Sequence, residues 1–188
     1  MPPSVKITKE DIIETATELV RTNGEQAINA RAIATALGCS TQPVFSNFAT
    51  MEELRKAVIN SAYNRYLSFI KNEVESEKYP QYKAFGMAYV RFAKEEKLLF
   101  QLLFMRDRTG EDTTSTSPDF EESVQIIMKA NGVSYEKAML MHLEMWACVH
   151  GIGTMLATSF LSLDFDVVSD ILSDVYQGVR SRCLSEEK

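Results

Sequence analysis

Glycine and proline are scarce in this chain, at 8 and 5 of 188 residues. Their scarcity opposes a turn-rich β architecture and favours helices. Internal repeats and strand-like alternation of polar and apolar residues are also missing. The three cysteines, Cys39, Cys148 and Cys183, show neither C-x-x-C spacing nor a histidine pairing of zinc-site type, so no metal is expected. An odd number of cysteines argues against a disulfide framework and fits a reducing cytoplasm. The opening MPPSVKITKED has no apolar run of the secretory kind, which fits the same compartment. There is no Ser-His-Asp set, paired-carboxylate motif or phosphate-binding loop. A helical enzyme working on an apolar substrate therefore has no motif behind it, and no cofactor is expected.

Charge is missing in two further places. From Gln26 to Met51 the chain has no carboxylate and Arg31 is its only charge, although the formal net charge of the whole is −6. Residues 1–58 hold 6 Lys/Arg and 7 Asp/Glu, so the region is cleared of repulsion without being basic. Such a surface admits phosphates but attracts them weakly. From Met145 to Leu163 there is no charged side chain at all, a length that approaches a membrane span. His150, Gly151, Gly153 and several Ser and Thr lie within it, and no Lys/Arg cluster flanks it. A helix buried on several sides of a helical domain is the expectation, with no membrane partner.

What is present reads as a row of helices, and a hydrophobic fraction of 45% is enough to pack them. Thr8 and Asp11 form a capping box for a first helix with Ile12, Ile13, Ala16, Leu19 and Val20 on one face; Asn23-Gly24 ends it. Asn29 caps a second helix with Ile33, Ala34 and Leu37 inside. Ser40 is expected to cap a third, with Pro43 in its first turn and Val44, Phe45 and Phe48 as core residues. Thr50 opens T-M-E-E and a long helix to about Glu77, whose apolar face is Leu54, Val58, Ala62, Tyr66 or Leu67, Ile70 and Val74. Residues 81–104 read as one or two helices broken near Lys94–Lys97. RDRTGEDTTSTS is polar and structureless by composition, and Ser117-Pro118 begins a helix closed by Asn131-Gly132. Ser134 starts the long apolar helix, and a last one from about Asp166 to Cys183 carries Val168, Ile171, Leu172, Val175 and Val179. The fold class is all-α.

Within this row, NARAIATALGCSTQPVFSNFATMEEL carries three residues at the offsets of a helix-turn-helix. Ala34 is small where two helices cross, Gly38 supplies a positive φ for the sharp turn, and Val44 plugs the third helix into the second. Over residues 8–58 the chain resembles the TetR family of transcriptional regulators. The resemblance rests on Ala16, Gly24, Ile33, Ala34, Leu37-Gly38-Cys39-Ser40, Phe48 and Glu52-Glu53-Leu54. Trp146 and His150-Gly151 are similar to a subgroup with a Trp and a His-Gly in its eighth helix.

The resemblance implies a DNA-binding domain over residues 1–50 and a helical ligand-binding and dimerisation domain over residues 51–188. It implies a homodimer that binds a palindromic double-stranded operator and is released by a small-molecule effector. Arg31, Thr41, Gln42, Phe45, Ser46, Asn47 and Thr50 would face DNA: Gln42 an adenine edge, Arg31 and Thr50 phosphates. Phe45, Asn47 and Met51 stand where family members carry polar or charged phosphate partners, which shifts the expected load onto Arg31, Gln42 and Lys6 or Lys9.

Apolar and methionine-rich residues of the second half, Phe100, Phe104, Met105, Met141, Met145, Trp146 and His150, outline the expected effector contacts. Gly151 and Gly153 suggest close helix approach, and the two C-terminal helices are the expected dimer seam. The rival expectation is a helical dimeric interaction protein that keeps the fold with weak or no specific DNA binding.

Overall fold

The computed structural model describes residues 7–109 and 118–185. Among them it contains nine α-helices and no strand: α1 (Lys9–Asn23), α2 (Ala30–Ala36), α3 (Gln42–Asn47), α4 (Met51–Glu75), α5 (Gln81–Glu95), α6 (Lys97–Phe104), α7 (Pro118–Asn131), α8 (Tyr135–Ala157) and α9 (Phe165–Ser185). They divide into two compact units, Met1–Leu67 with Glu96–Arg106, and Ser68–Glu95 with Asp107–Lys188.

In the first unit each short helix is bounded by its own chemistry. Thr8 and Asp11 form the reciprocal capping box at the start of α1. The two hydrogen bonds from Thr8, backbone first, hold the Asp11 carboxyl below its usual range. Gly24, at φ 84°, ends α1. Asn29 Oδ1 accepts from the Ala32 amide at 2.8 Å to start α2. Gly38, at φ 66°, makes the turn into α3. The start of α3 differs from expectation: Thr41, not Ser40, is its N-cap, and no side chain caps it. Pro43 in the first turn already lacks the amide that a cap would satisfy, so the cap has less to do.

Ile12, Ala16, Val20, Ile33, Ala34, Val44, Phe48, Leu54 and Val58 are buried together, and α6 packs on α1 through the same unit. Phe45, expected in this core, is 57% exposed. One residue on from Val44 is a turn of about 100° round the helix, and on this short, one-sided helix that places Phe45 outside the buried face. α4 is buried along Leu54, Val58, Ala62 and Tyr66, with Leu67 outside. Glu96, between α5 and α6, is 6% exposed and accepts from Arg65 Nε and Nη2 at 2.9 and 2.7 Å. Arg21 lies at 3.9 Å and Glu18 joins both arginines, which makes a four-residue charge network.

The second unit is built around α5, which buries Ala84, Met87, Ala88, Tyr89, Val90, Phe92 and Ala93. α5 packs against α7, α8 and α9. Gly86 permits this: a Cβ there would lie 3.2 Å from Leu172 Cδ1 and 3.4 Å from Val149 Cγ2. α8 packs against α5, α7 and α9, as expected of a helix buried on several sides, but part of its surface stays open. α8 buries Met141, Met145, Val149, Ile152 and Leu156 but leaves Leu140, Leu143, Trp146 and Met155 exposed. A Cβ at Gly151 would meet nothing within 4 Å, so this glycine serves no close approach inside the chain. No helix among the described residues is long and apolar enough to cross a membrane.

Candidate nucleic-acid interface

α3 presents two faces. Val44 and Phe48 point into the core at 0% and 2% exposure, and on the other side Thr41, Gln42, Phe45 and Ser46 are exposed at spacings i, i+1, i+4 and i+5. This outward face carries no charge, so nothing on it repels phosphate. Its polar groups differ in their freedom. The Ser46 hydroxyl donates to the Gln42 carbonyl at 2.9 Å, and the half-buried Asn47 donates its amide to the Pro43 carbonyl at 2.8 Å. Both side chains are thus turned partly back onto the helix. The Gln42 amide has both a donor and an acceptor for a base edge. Arg31, on α2, is exposed and forms no ion pair among the described residues. Cys39, in the turn, gives its thiol to the Ser40 carbonyl.

The start of α4 is braced in a way that sequence reading found only in half. Thr50 Oγ1 accepts from the Glu53 amide at 3.1 Å and Glu53 Oε2 accepts from the Ala49 amide at 3.0 Å. Lys9 then reaches across from α1 to Glu53 at 3.0 Å and lies 4.7 Å over the Phe48 ring. The Lys9 hydrogen bond, followed by the Ala49 amide, keeps the Glu53 carboxyl below its usual range. Thr-x-x-Glu is visible as a capping signal, whereas the Lys9 contact spans 44 residues and has no local signature. In this structure Lys9 pairs with Glu53 at an exposed site; Lys6 lies outside the described residues. Arg55 supplies a second brace by donating to Glu25.

The expected effector residues fall into both units. In the first, Phe100 is fully buried, Phe104 is half-buried against Phe100 and edge-on to Tyr66 at 5.3 Å, and Met105 is exposed. In the second, Met141 is a core residue packed with Val124, Ile127, Val133, Ala138 and Cys183, and Met145 is buried. Trp146 is 48% exposed and stacks on the half-buried His150 at 5.6 Å. Two hydrogen-bonded rungs join α5 to α8: Tyr82 Oη to His142 Nδ1 at 3.0 Å and Tyr89 Oη to His150 Nδ1 at 2.8 Å. Their spacing of two turns on each helix was present in the sequence, but no motif pairs a tyrosine with a histidine sixty residues away. Burial lowers the His142 pKa to about 4 and raises both tyrosines. Among the described residues no His/Cys/Asp/Glu group is arranged to hold a metal ion.

The family model for the tetracyclin repressor-like C-terminal domain matches residues 82–175, half of the chain. The chain is 22% identical over 183 residues to an uncharacterised HTH-type transcriptional regulator of Mycobacterium tuberculosis, covering 94% of this chain and 84% of that protein. Its fold is similar to the crystal structure of a TetR-like transcriptional regulator from Rhodococcus sp. RHA1, with TM-score 0.67, 13% identity, and 94% and 96% of the two chains covered. With a carboxylate-free helix-turn-helix in the first unit and that domain matched over residues 82–175, the chain belongs to the TetR family of DNA-binding transcriptional regulators.

Proposed function

We propose that the protein is a cytoplasmic homodimeric repressor that binds a palindromic operator and releases it when a small apolar effector binds. The observation that carries this reading is the uncharged outward face of α3, braced by Lys9, Glu53 and Thr50. On it Gln42 reads a base edge, Thr41, Phe45, Ser46 and Asn47 complete the major-groove contact, and Arg31 and Thr50 hold phosphates. The exposed stripe Leu140, Leu143 and Met155 on α8, with Val167 on α9, supports self-association through these two helices. Gly151 and Gly178, both open within the chain, leave room there for another helix. The effector is assigned to the residues beside Met145, Trp146 and His150, on the flank of that stripe. It acts by binding more tightly to the state whose two α3 helices are wrongly spaced for DNA.

Selection of bound duplexes from a random pool tests this directly. The expected result is a palindrome whose half-sites lie about 10–10.5 base pairs apart, or a multiple of that, occupied by two chains per site and vacated as apolar effectors are titrated in. Enrichment of no sequence contradicts the reading.

A further inference from the structure

Phe45 is the most exposed large apolar side chain of the first unit's described residues, at 57%, and nothing in the site accounts for it. Its neighbours on the outward face, Thr41, Gln42 and Ser46, are short or polar and uncharged. The ring has no hydrogen bond to offer a phosphate. In the major groove every base edge presents a donor or acceptor, and the only apolar group is the C5 methyl of thymine. A phenyl ring pressed on a polar edge would strip its water without replacing the hydrogen bond, which is unfavourable.

We propose that Phe45 reads thymine in the operator by packing against its C5 methyl, and that it rejects cytosine at the same position. The inference rests on α3 being the reading helix, and it names one base that this helix selects. Gln42 and Phe45 stand three residues apart on one face, about 5–6 Å between Cβ atoms. That distance corresponds to one or two base-pair steps, so the thymine lies within two steps of the base read by Gln42.

The experiment begins with duplexes selected by the wild-type protein and replaces each half-site thymine in turn by deoxyuridine, which removes only the methyl group. One symmetric position is expected to lose roughly four-fold in affinity per half-site, the worth of one buried methyl group. Cytosine at that position should bind worse still, and 5-methylcytosine should recover part of the loss. Phe45→Ala, with circular dichroism matching the wild type, should bind thymine and deoxyuridine equally. Wild-type affinity unchanged at every deoxyuridine overturns the proposal while leaving the DNA-reading helix intact. So does a deoxyuridine penalty that persists in Phe45→Ala. Selection of no sequence by the wild type overturns both.

Discussion

Each of the two units of this molecule buries a carboxylate against an arginine, but they differ in how their helices are bounded and joined. The first is made of short helices whose limits are set by caps and turns, and its polar groups lie at the surface or in ion pairs such as Arg65–Glu96. The second is made of longer helices with a largely apolar interior, where the buried Glu73 pairs with Arg91 at 3.0 Å and two tyrosine–histidine hydrogen bonds, Tyr82 with His142 and Tyr89 with His150, join α5 to α8. A reading surface must hold a few side chains in fixed directions, and short capped helices braced by charge do that. The proposed effector response would need packing that can rearrange, and long helices joined by apolar contacts and tyrosine–histidine hydrogen bonds suit that.

The largest expected effect is at Glu96 in the first unit. Arg65→Met leaves this buried carboxylate with only Arg21 at 3.9 Å. The expected loss is about 2–3 kcal/mol of stability, at the lower end for a buried pair because Arg65 itself is 40% exposed. Chemical denaturation of the variant measures it, and an unchanged midpoint would show that the network is not structural.

Two residues of α3 sharpen the contrast between fold and reading. Val44→Ala removes methyl groups from a fully buried site and should cost about 2 kcal/mol, while the folded fraction keeps its base preference. Gln42→Ala, at an exposed site, should leave stability within about 0.5 kcal/mol and lose about 1–3 kcal/mol of discrimination at one base pair. Thermal melts and competition binding separate the two effects.

In the second unit two glycines should behave oppositely. Gly86→Val drives a branched side chain into Leu172 and Val149 and should cost about 1–3 kcal/mol. Gly151→Ala meets open space in the chain and should raise the monomer's stability by about 0.5–1 kcal/mol. If α8 forms the proposed seam, the same change also weakens the dimer, which sedimentation at several concentrations reports.

The smallest effect is on pH. His142 stays neutral in the folded unit down to about 4, whereas in the unfolded chain it takes up a proton near 6.5. Between those values the unfolded state binds more protons, so stability is full above 6.5 and declines as the pH falls toward 4. The slope should stay below about 1.4 kcal/mol per pH unit, because His142 is only half-buried and partly screened. His142→Gln should flatten that part of the melting-temperature profile.

Much of the first unit was legible in the sequence because its signals are local. Thr8 with Asp11, Asn29, Gly38 and Thr50 with Glu53 each act within four residues, and each does so in the structure. What differs from expectation depends on rotation about a short helix: Phe45 follows the core residue Val44, and only the direction of α3 decides that it faces out. In the second unit helix order was legible, but partners were not. α5 packs against α7, α8 and α9 without a long uncharged run to advertise it, while α8, which has one, packs against α5, α7 and α9 and still exposes Leu140, Leu143, Trp146 and Met155. Gly86 and Gly151 look alike as letters, and only their neighbours distinguish a close crossing from an exposed gap.

The central claim is that the outward face of α3, with Arg31 beside it, reads DNA. Fluorescence-anisotropy titration of the selected duplex across a salt series, with wild type, Arg31→Ala and Gln42→Ala, tests it most directly. Arg31→Ala should weaken binding to all sequences and lower the magnitude of the salt slope by about one phosphate per chain. Gln42→Ala should keep the wild-type salt slope and lose preference at one base pair. If both variants bind with the wild-type slope and preference, the reading surface lies elsewhere and the account of α3 is wrong.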